Sequence, residues 1–405
     1  MKKLIALILV LVLLTGTAFA AETVSGVAEI PVIENVKQFE LPESEAIAFV
    51  QDMKIGWNLG NTFDATFWEG YNQNELAIEK GWCGVYTTKD MIQAIHDAGF
   101  KTIRIPVSWH DHVDKDFHIS KAWMDRVQEV VDWAIELDMY VIINSHHDMV
   151  KGYCYPTEAE YATSEKYMAT IWGDIAERFK DYDNHLIFEG MNEPRLKDTN
   201  YEWSFNKIMP DCKEAAECIN KLNQTFVNVV RASGGNNAER YLMVSGYGAA
   251  PGNVLIDLFR LPEDTAENKL IVSVHAYTPY NFALNANGTN KFDHTLSGNT
   301  TEIATFMNSL YRTYIANGIP VIIGEFGAMN KGNNLQDRVN FAAYYVAAAS
   351  ARGMVCCWWD NNGFTGSGEL FGIFNRQKMQ WPTYDIVLAM MQYAGWEKIP
   401  PKPAQ

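Results

Sequence analysis

The sequence predicts an α/β protein folded as a single (β/α)8 barrel. Three observations predict it: eight short apolar runs recur along the chain, amphipathic stretches of helical period lie between them, and polar side chains collect at one end of the runs. The runs cover 54–59, 101–107, 139–145, 185–190, 241–245, 270–275, 320–324 and 354–359. Such short apolar runs suit parallel strands buried on both faces. The helical stretches cover 88–98, 121–137, 158–179, 213–232, 301–316, 336–351 and 383–393. Thr88 is placed to cap the first of them and Gly99 to stop it. A doubly wound open sheet would carry a Gly-rich phosphate turn after an early strand, and the sequence has none.

The chain starts Met1-Lys2-Lys3, continues apolar from Leu4 to Leu14, and reaches Ala18-Phe19-Ala20. A basic start, a short hydrophobic run and an Ala-x-Ala site predict a secretory signal peptide over 1–20, cleaved after Ala20. That run is short for a membrane span, and no later segment is long enough. The formal charge of -16 becomes -18 when Lys2 and Lys3 leave. That balance argues against nucleic acid and anionic lipid as partners and leaves a neutral polymer open. The protein is expected outside the cytoplasm, as a monomer. Six cysteines remain. Cys212 and Cys218, in a segment that reads as a loop, are the best candidates for a disulfide. Cys356 and Cys357 point to opposite faces of one run and read as small hydrophobes.

The polar residues give the chemistry. Glu193 and Glu325 each follow or close an apolar run. Alone, either could be a strand-end carboxylate satisfied by an Arg or Lys. As a pair at the mouth of a barrel, they suggest the acid and nucleophile that cleave a glycosidic bond with retention. The other strand ends carry Asn58 and Asn61, Arg104, His146-His147-Asp148, Asn192, His275 and Tyr277, and Trp358-Trp359-Asp360. A metal site built on His146 and His147 is disfavoured, because adjacent residues of a regular strand project to opposite faces. Trp68, Trp82, Trp109 and Trp203 fall in loops, where each is either a sugar platform or ordinary packing.

Together, Gly56-Trp57-Asn58-Leu59-Gly60-Asn61, Arg104-Ile105-Pro106, His146-His147, Asn192-Glu193-Pro194, His275-Ala276-Tyr277, Gly324-Glu325-Phe326-Gly327 and Trp359-Asp360-Asn361 resemble glycoside hydrolase family 5. They are most similar to the subfamily 4 endoglucanases and xyloglucanases, from about Ala48 to Trp396. The resemblance implies a TIM barrel, retaining hydrolysis of a β-glucan, and no metal or organic cofactor. It implies Glu193 as acid/base and Glu325 as nucleophile, with Arg104 holding the nucleophile. It further implies Asn192 on the sugar 2-hydroxyl, His146 on the -1 sugar, His275 beside Glu193, Tyr277 donating to Glu325, and Trp359 as the floor of the -1 subsite. Asn61, Trp82 and His147 are sugar contacts or, equally, loop residues. Relatives often carry Trp-Gly-Asn-Pro where this chain has Trp82-Cys83-Gly84-Val85, which leaves the choice among glucan backbones open. The expected organisation is a signal peptide at 1–20, an N-terminal extension at 21–46, a catalytic barrel at 47–398 and a tail at 399–405. The expected activity is a secreted endo-β-1,4-glucanase. A xyloglucan-specific enzyme or a mannanase is the nearest alternative. A non-catalytic glycan binder would be expected to lack a glutamate or Arg104.

Overall fold

The computed structural model describes residues 28–332 and 334–399. The signal peptide therefore lies outside the described residues. Eight parallel strands close in sequence order: β1 (Gly56–Leu59), β2 (Thr102–Ile105), β3 (Tyr140–Asn144), β4 (Leu186–Glu189), β5 (Leu242–Ser245), β6 (Leu270–His275), β7 (Val321–Phe326) and β8 (Val355–Asp360). β8 pairs back onto β1, with Cys357 opposite Gly56 and Asp360 opposite Leu59. All eight predicted runs form strands.

The α-helices among the described residues are α1 (Glu45–Asp52), α2 (Lys89–Asp97), α3 (Lys121–Ile135), α4 (Glu158–Arg178), α5 (Pro210–Ala232), α6 (Tyr280–Ala283), α7 (Ser297–Thr313), α8 (Leu335–Ser350) and α9 (Tyr384–Tyr393). The Thr88 hydroxyl caps α2 by accepting from Met91 N–H at 3.3 Å. Between β5 and β6 two 3-10 turns replace an α-helix. Gly246, Gly248, Pro251 and Gly252 fall in this stretch, and glycine and proline both disfavour a longer helix. Cys212 and Cys218 both lie in α5, buried and unbridged. Six residues of helix separate them by about 9 Å, beyond disulfide reach. The predicted bridge is therefore wrong, and Pro210 at the first turn was the sign of a helix start.

The inward-facing residues form two layers. The lower layer is apolar: Ile142, Ile187, Met243, Ile271, Ile322, Val355 and Cys357 pack together. α1 closes it from beneath with Ala46, Val50 and Met53. Gly56 belongs to this layer because a Cβ there would sit 2.3 Å from Cys357 Sγ. Cys356 faces the opposite way, into the core under the helices, as expected. One pleat higher, inward positions become polar: Asn58, Arg104, Asn144, Glu189 and Ser273 are all fully buried.

Candidate active site

The polar layer is organised by Arg104. Its Nε donates to Glu189 Oε2 at 2.7 Å. Nη1 donates to Asn58 Oδ1 and Glu325 Oε1, each at 2.9 Å, and Nη2 to Asn192 Oδ1 at 2.6 Å. A planar fork can serve four acceptors in fixed directions, which a lysine cannot. Burial opposes the charge, but Glu189 and Glu325 more than offset it and raise the guanidinium's pKa. Glu189 in turn accepts from Ser273 Oγ at 2.5 Å and Asn144 Nδ2 at 3.0 Å. Sequence reasoning named Asn58 at the end of its strand but passed over Glu189, Asn144 and Ser273. The available signal was a polar residue two steps above the apolar layer in β1, β2, β3, β4 and β6.

Glu325 reaches this layer through an irregularity. The β6–β7 register shifts between Val274 and His275, and the β7–β8 register shifts between Ile323 and Phe326. Such bulges re-aim a side chain. Gly324 makes room, since a Cβ there would meet His275 Nε2 at 3.0 Å. Tyr277 Oη donates to Glu325 Oε2 at 2.9 Å. Burial and the charge of Glu325 push the Tyr277 phenol well up, so it stays a donor.

Glu193, just beyond β4, lies with Oε1 2.9 Å from His275 Nδ1. An oxygen of Glu193, an oxygen of Glu325 and a ring nitrogen of His275 lie within 4.8 Å of one another. Burial alone would raise the Glu193 carboxyl. The His275 hydrogen bond, with Arg195 and Arg104, carries it below its ordinary value instead. For His275, burial lowers the pKa, but the charge of Glu325 and the bond to Glu193 raise it overall. The two shifts run in opposite directions because each group stabilises the charged form of the other.

His146 is buried. Its Nδ1 faces Asn144 Nδ2 at 3.1 Å and its Nε2 faces Asn192 Nδ2 at 3.3 Å. Burial and neighbouring cationic groups hold it well below the usual histidine pKa, hence neutral. Trp359 lies parallel to it, ring centres 5.8 Å apart, and Trp358 is core. His147 does not diverge from His146. β3 has already ended at Asn144, and the two rings lie 4.5 Å apart. The opposite-face argument assumed a strand where the chain has become a loop. Asp64, His146 and His147 each offer a ligand atom within 4.8 Å of the others. Asp64, however, accepts from Asn61 and Thr62 N–H, and burial lifts its pKa to about 6. Asn61 takes a left-handed turn conformation, φ 57°, beside it.

Trp82 is exposed, its ring 5.7 Å from that of His147. Its loop is anchored by buried Glu79, which accepts from Arg126 and from Thr87 N–H. Trp109 is no platform: it is fully buried, its indole N–H donating to Asn144 O at 2.8 Å. Asp148 is structural, accepting from Trp109 N–H, His110 N–H, His110 Nδ1 and Ser145 Oγ. Asp360 likewise caps the loop after β8 through Ile373 and Phe374 N–H.

Comparisons with known proteins agree with this geometry. Residues 60–365 match the family model for cellulase (glycosyl hydrolase family 5). Endoglucanase B of Ruminococcus albus is 44% identical over 369 residues, covering 90% of this chain and 85% of that protein. A GH5 family lichenase from Caldicellulosiruptor sp. F32 is 54% identical with a TM-score of 0.89, covering 91% of this chain and 100% of that one. A GH5-4 broad specificity endoglucanase from Ruminococcus champanellensis is 44% identical with a TM-score of 0.80, covering 87% and 100%.

Proposed function

This chain belongs to glycosyl hydrolase family 5, and we propose that it is a secreted, retaining endo-β-1,4-glucanase. The observation that carries the chemistry is the pair of carboxylate oxygens within 4.8 Å, one on Glu193 and one on Glu325. Retaining enzymes hold their carboxyls about 5–5.5 Å apart, whereas inverting enzymes leave room for a water at about 6.5–9.5 Å. Glu325, held by Arg104 and Tyr277, attacks the anomeric carbon. Glu193 passes a proton to the leaving oxygen. Water then enters, Glu193 takes its proton, and the glycosyl–Glu325 ester is cleaved. Asn192 offers Nδ2 to the sugar 2-hydroxyl, because Arg104 already claims Oδ1. His146 and Trp359 line the sugar, with Asn61, Trp82 and His147 around it.

Mixed-linkage β-glucan is the favoured polymer, on the strength of the 54% identical lichenase, with cellulose-like chains and xyloglucan also cut, as the broad specificity relatives suggest. Export by the 1–20 leader fits a polymer that cannot enter the cell, and no described helix is long and apolar enough to cross a membrane. The test is initial rate and product size on barley β-glucan, carboxymethylcellulose, tamarind xyloglucan and glucomannan, with the anomer of the first product read by NMR. Viscosity loss with β-anomeric product supports the reading. α-Anomeric product would sink retention, and activity confined to glucomannan would replace the substrate.

A further inference from the structure

The carbonyl of Cys83, one residue past Trp82, receives two side-chain amides from the loop after β8. Gln377 Nε2 donates to it at 2.7 Å and Asn362 Nδ2 at 3.1 Å. Two donors fill both lone pairs of one carbonyl oxygen. The backbone sets the direction of both amides. Arg376 N–H donates to Asn362 Oδ1 at 3.1 Å, which leaves Asn362 Nδ2 for Cys83. The same Nδ2 donates to Gln377 Oε1 at 2.8 Å, which turns Gln377 Nε2 to Cys83 as well. The segment that carries them is itself tied down. Asn362 N–H donates to Asp360 Oδ1 at 2.8 Å, and the Arg376 guanidinium donates to Gly60 O, Thr62 Oγ1 and Asp360 O. On the other side, Gly84 takes a left-handed conformation, φ 78°, that favours glycine. Its N–H donates to Lys80 O at 2.9 Å and closes the turn around Trp82. Trp82 is 43% exposed, so its ring stands where its backbone is held. Three contacts lead from that ring to the proposed nucleophile. The ring centres of Trp82 and His147 are 5.7 Å apart, those of His147 and His146 are 4.5 Å apart, and His146 Nε2 lies 4.0 Å from Glu325 Oε1.

We propose that Gln377 and Asn362 are positioning residues that hold Trp82 beside His147, so that the loop after β8 fixes a wall of the glycan cleft supplied by the loop after β1. The proposal rests on the reading above that Trp82 and His147 lie around the sugar. The two amides act through the Cys83 carbonyl and not on the reacting atoms. A wall held in advance has less freedom to lose when the glucan binds. That gain is the same in the ground state and the transition state, so it belongs to KM and leaves kcat nearly untouched.

The experiment measures initial rates of cellotetraose hydrolysis. Cleavage by the wild type tests the catalytic reading by itself. Trp82→Ala tests the sugar contact and should raise KM; an unchanged value would remove the wall and the clamp with it. Gln377→Glu tests the clamp. It keeps the size of the side chain and its acceptor for Asn362, and it removes the donor to Cys83. Gln377 is exposed, so the fold tolerates the change. KM should rise roughly twofold to fivefold with kcat nearly unchanged, the scale of one hydrogen bond. In a Trp82→Ala background the same substitution should raise KM no further, because the clamp acts through that ring. An unchanged KM in the single variant overturns the proposal. So does an equal rise in both backgrounds, which would mark an effect that bypasses Trp82.

Discussion

Arg104 Nη2 donates to Asn192 Oδ1 at 2.6 Å, and this bond decides which way the Asn192 amide points. The nitrogen is left toward His146 and the cleft. One guanidinium therefore orients both the residue proposed to meet the 2-hydroxyl and, through Glu325, the proposed nucleophile. Arg104→Lys keeps the charge but loses the fork. The expected result is a kcat lower by about 10²–10³-fold, the scale of losing an electrostatic catalytic contact. Steady-state kinetics on β-glucan checks it, and a loss below fivefold would show that the charge alone suffices.

Glu189 is fully buried, and it is the second carboxylate on Arg104. Glu189→Gln keeps shape and removes one charge. The guanidinium should then lean more heavily on Glu325 and make it a poorer nucleophile. A kcat lower by about 10–10²-fold with KM nearly unchanged is expected, the pattern of a contact that matters in the transition state. A change in KM alone would place Glu189 in sugar binding instead.

The proton on His275 sets the alkaline side of activity. His275 is raised above its ordinary 6.5, so it keeps its proton below that raised value and loses it as pH climbs through it. kcat/KM should fall on an alkaline limb above pH 6.5. In His275→Asn the limb should report Glu193 alone and change position. An unmoved limb would assign it elsewhere.

Asp148 and His110 give a pH-dependent term in stability. Asp148 is depressed: burial opposes this, but the bonds from His110 and Ser145 prevail. Its contribution is present above the unfolded value near 3.8 and is lost as pH falls through the depressed one. His110 is raised, with burial again outweighed by Asp148, so its contribution is present below 6.5 and is lost as pH rises through the raised value. Asp148→Ala should cost about 3 kcal/mol near pH 6, because it strands buried donors. Denaturant melts across pH check both the size and the flattening of the profile.

All six cysteines are free and buried. The folded protein should react with none of a bulky disulfide reagent, and the unfolded protein with six. Reductant should leave the melting temperature unchanged.

The strands and the residues at their upper ends were legible because burial on two faces leaves a simple apolar signature, and a polar residue breaking it stands out. Glu189 was not, since it sits inside a run and reads as part of the strand until inward and outward positions are separated. His147 was misread for the opposite reason: alternation was extended three residues past Asn144, where the strand had ended. α1 escaped because Ala46, Ile47 and Val50 run into β1 without a clear break in pattern. Its capping serine, Ser44, was the one local sign.

β1 finds its second neighbour only at 355–360, and Ile33 N–H bonds to Tyr393 Oη. A chain emerging from synthesis therefore carries two unpaired parallel edges until nearly all of it is out. Open edges invite pairing with other chains. Such a molecule gains by being kept unfolded and escorted until its last strand is available. A break anywhere in β8 would not yield a weakened enzyme. It would yield an open, adhesive sheet in which Asn58 has lost the Cys357 and Trp358 carbonyls that hold its amide in place.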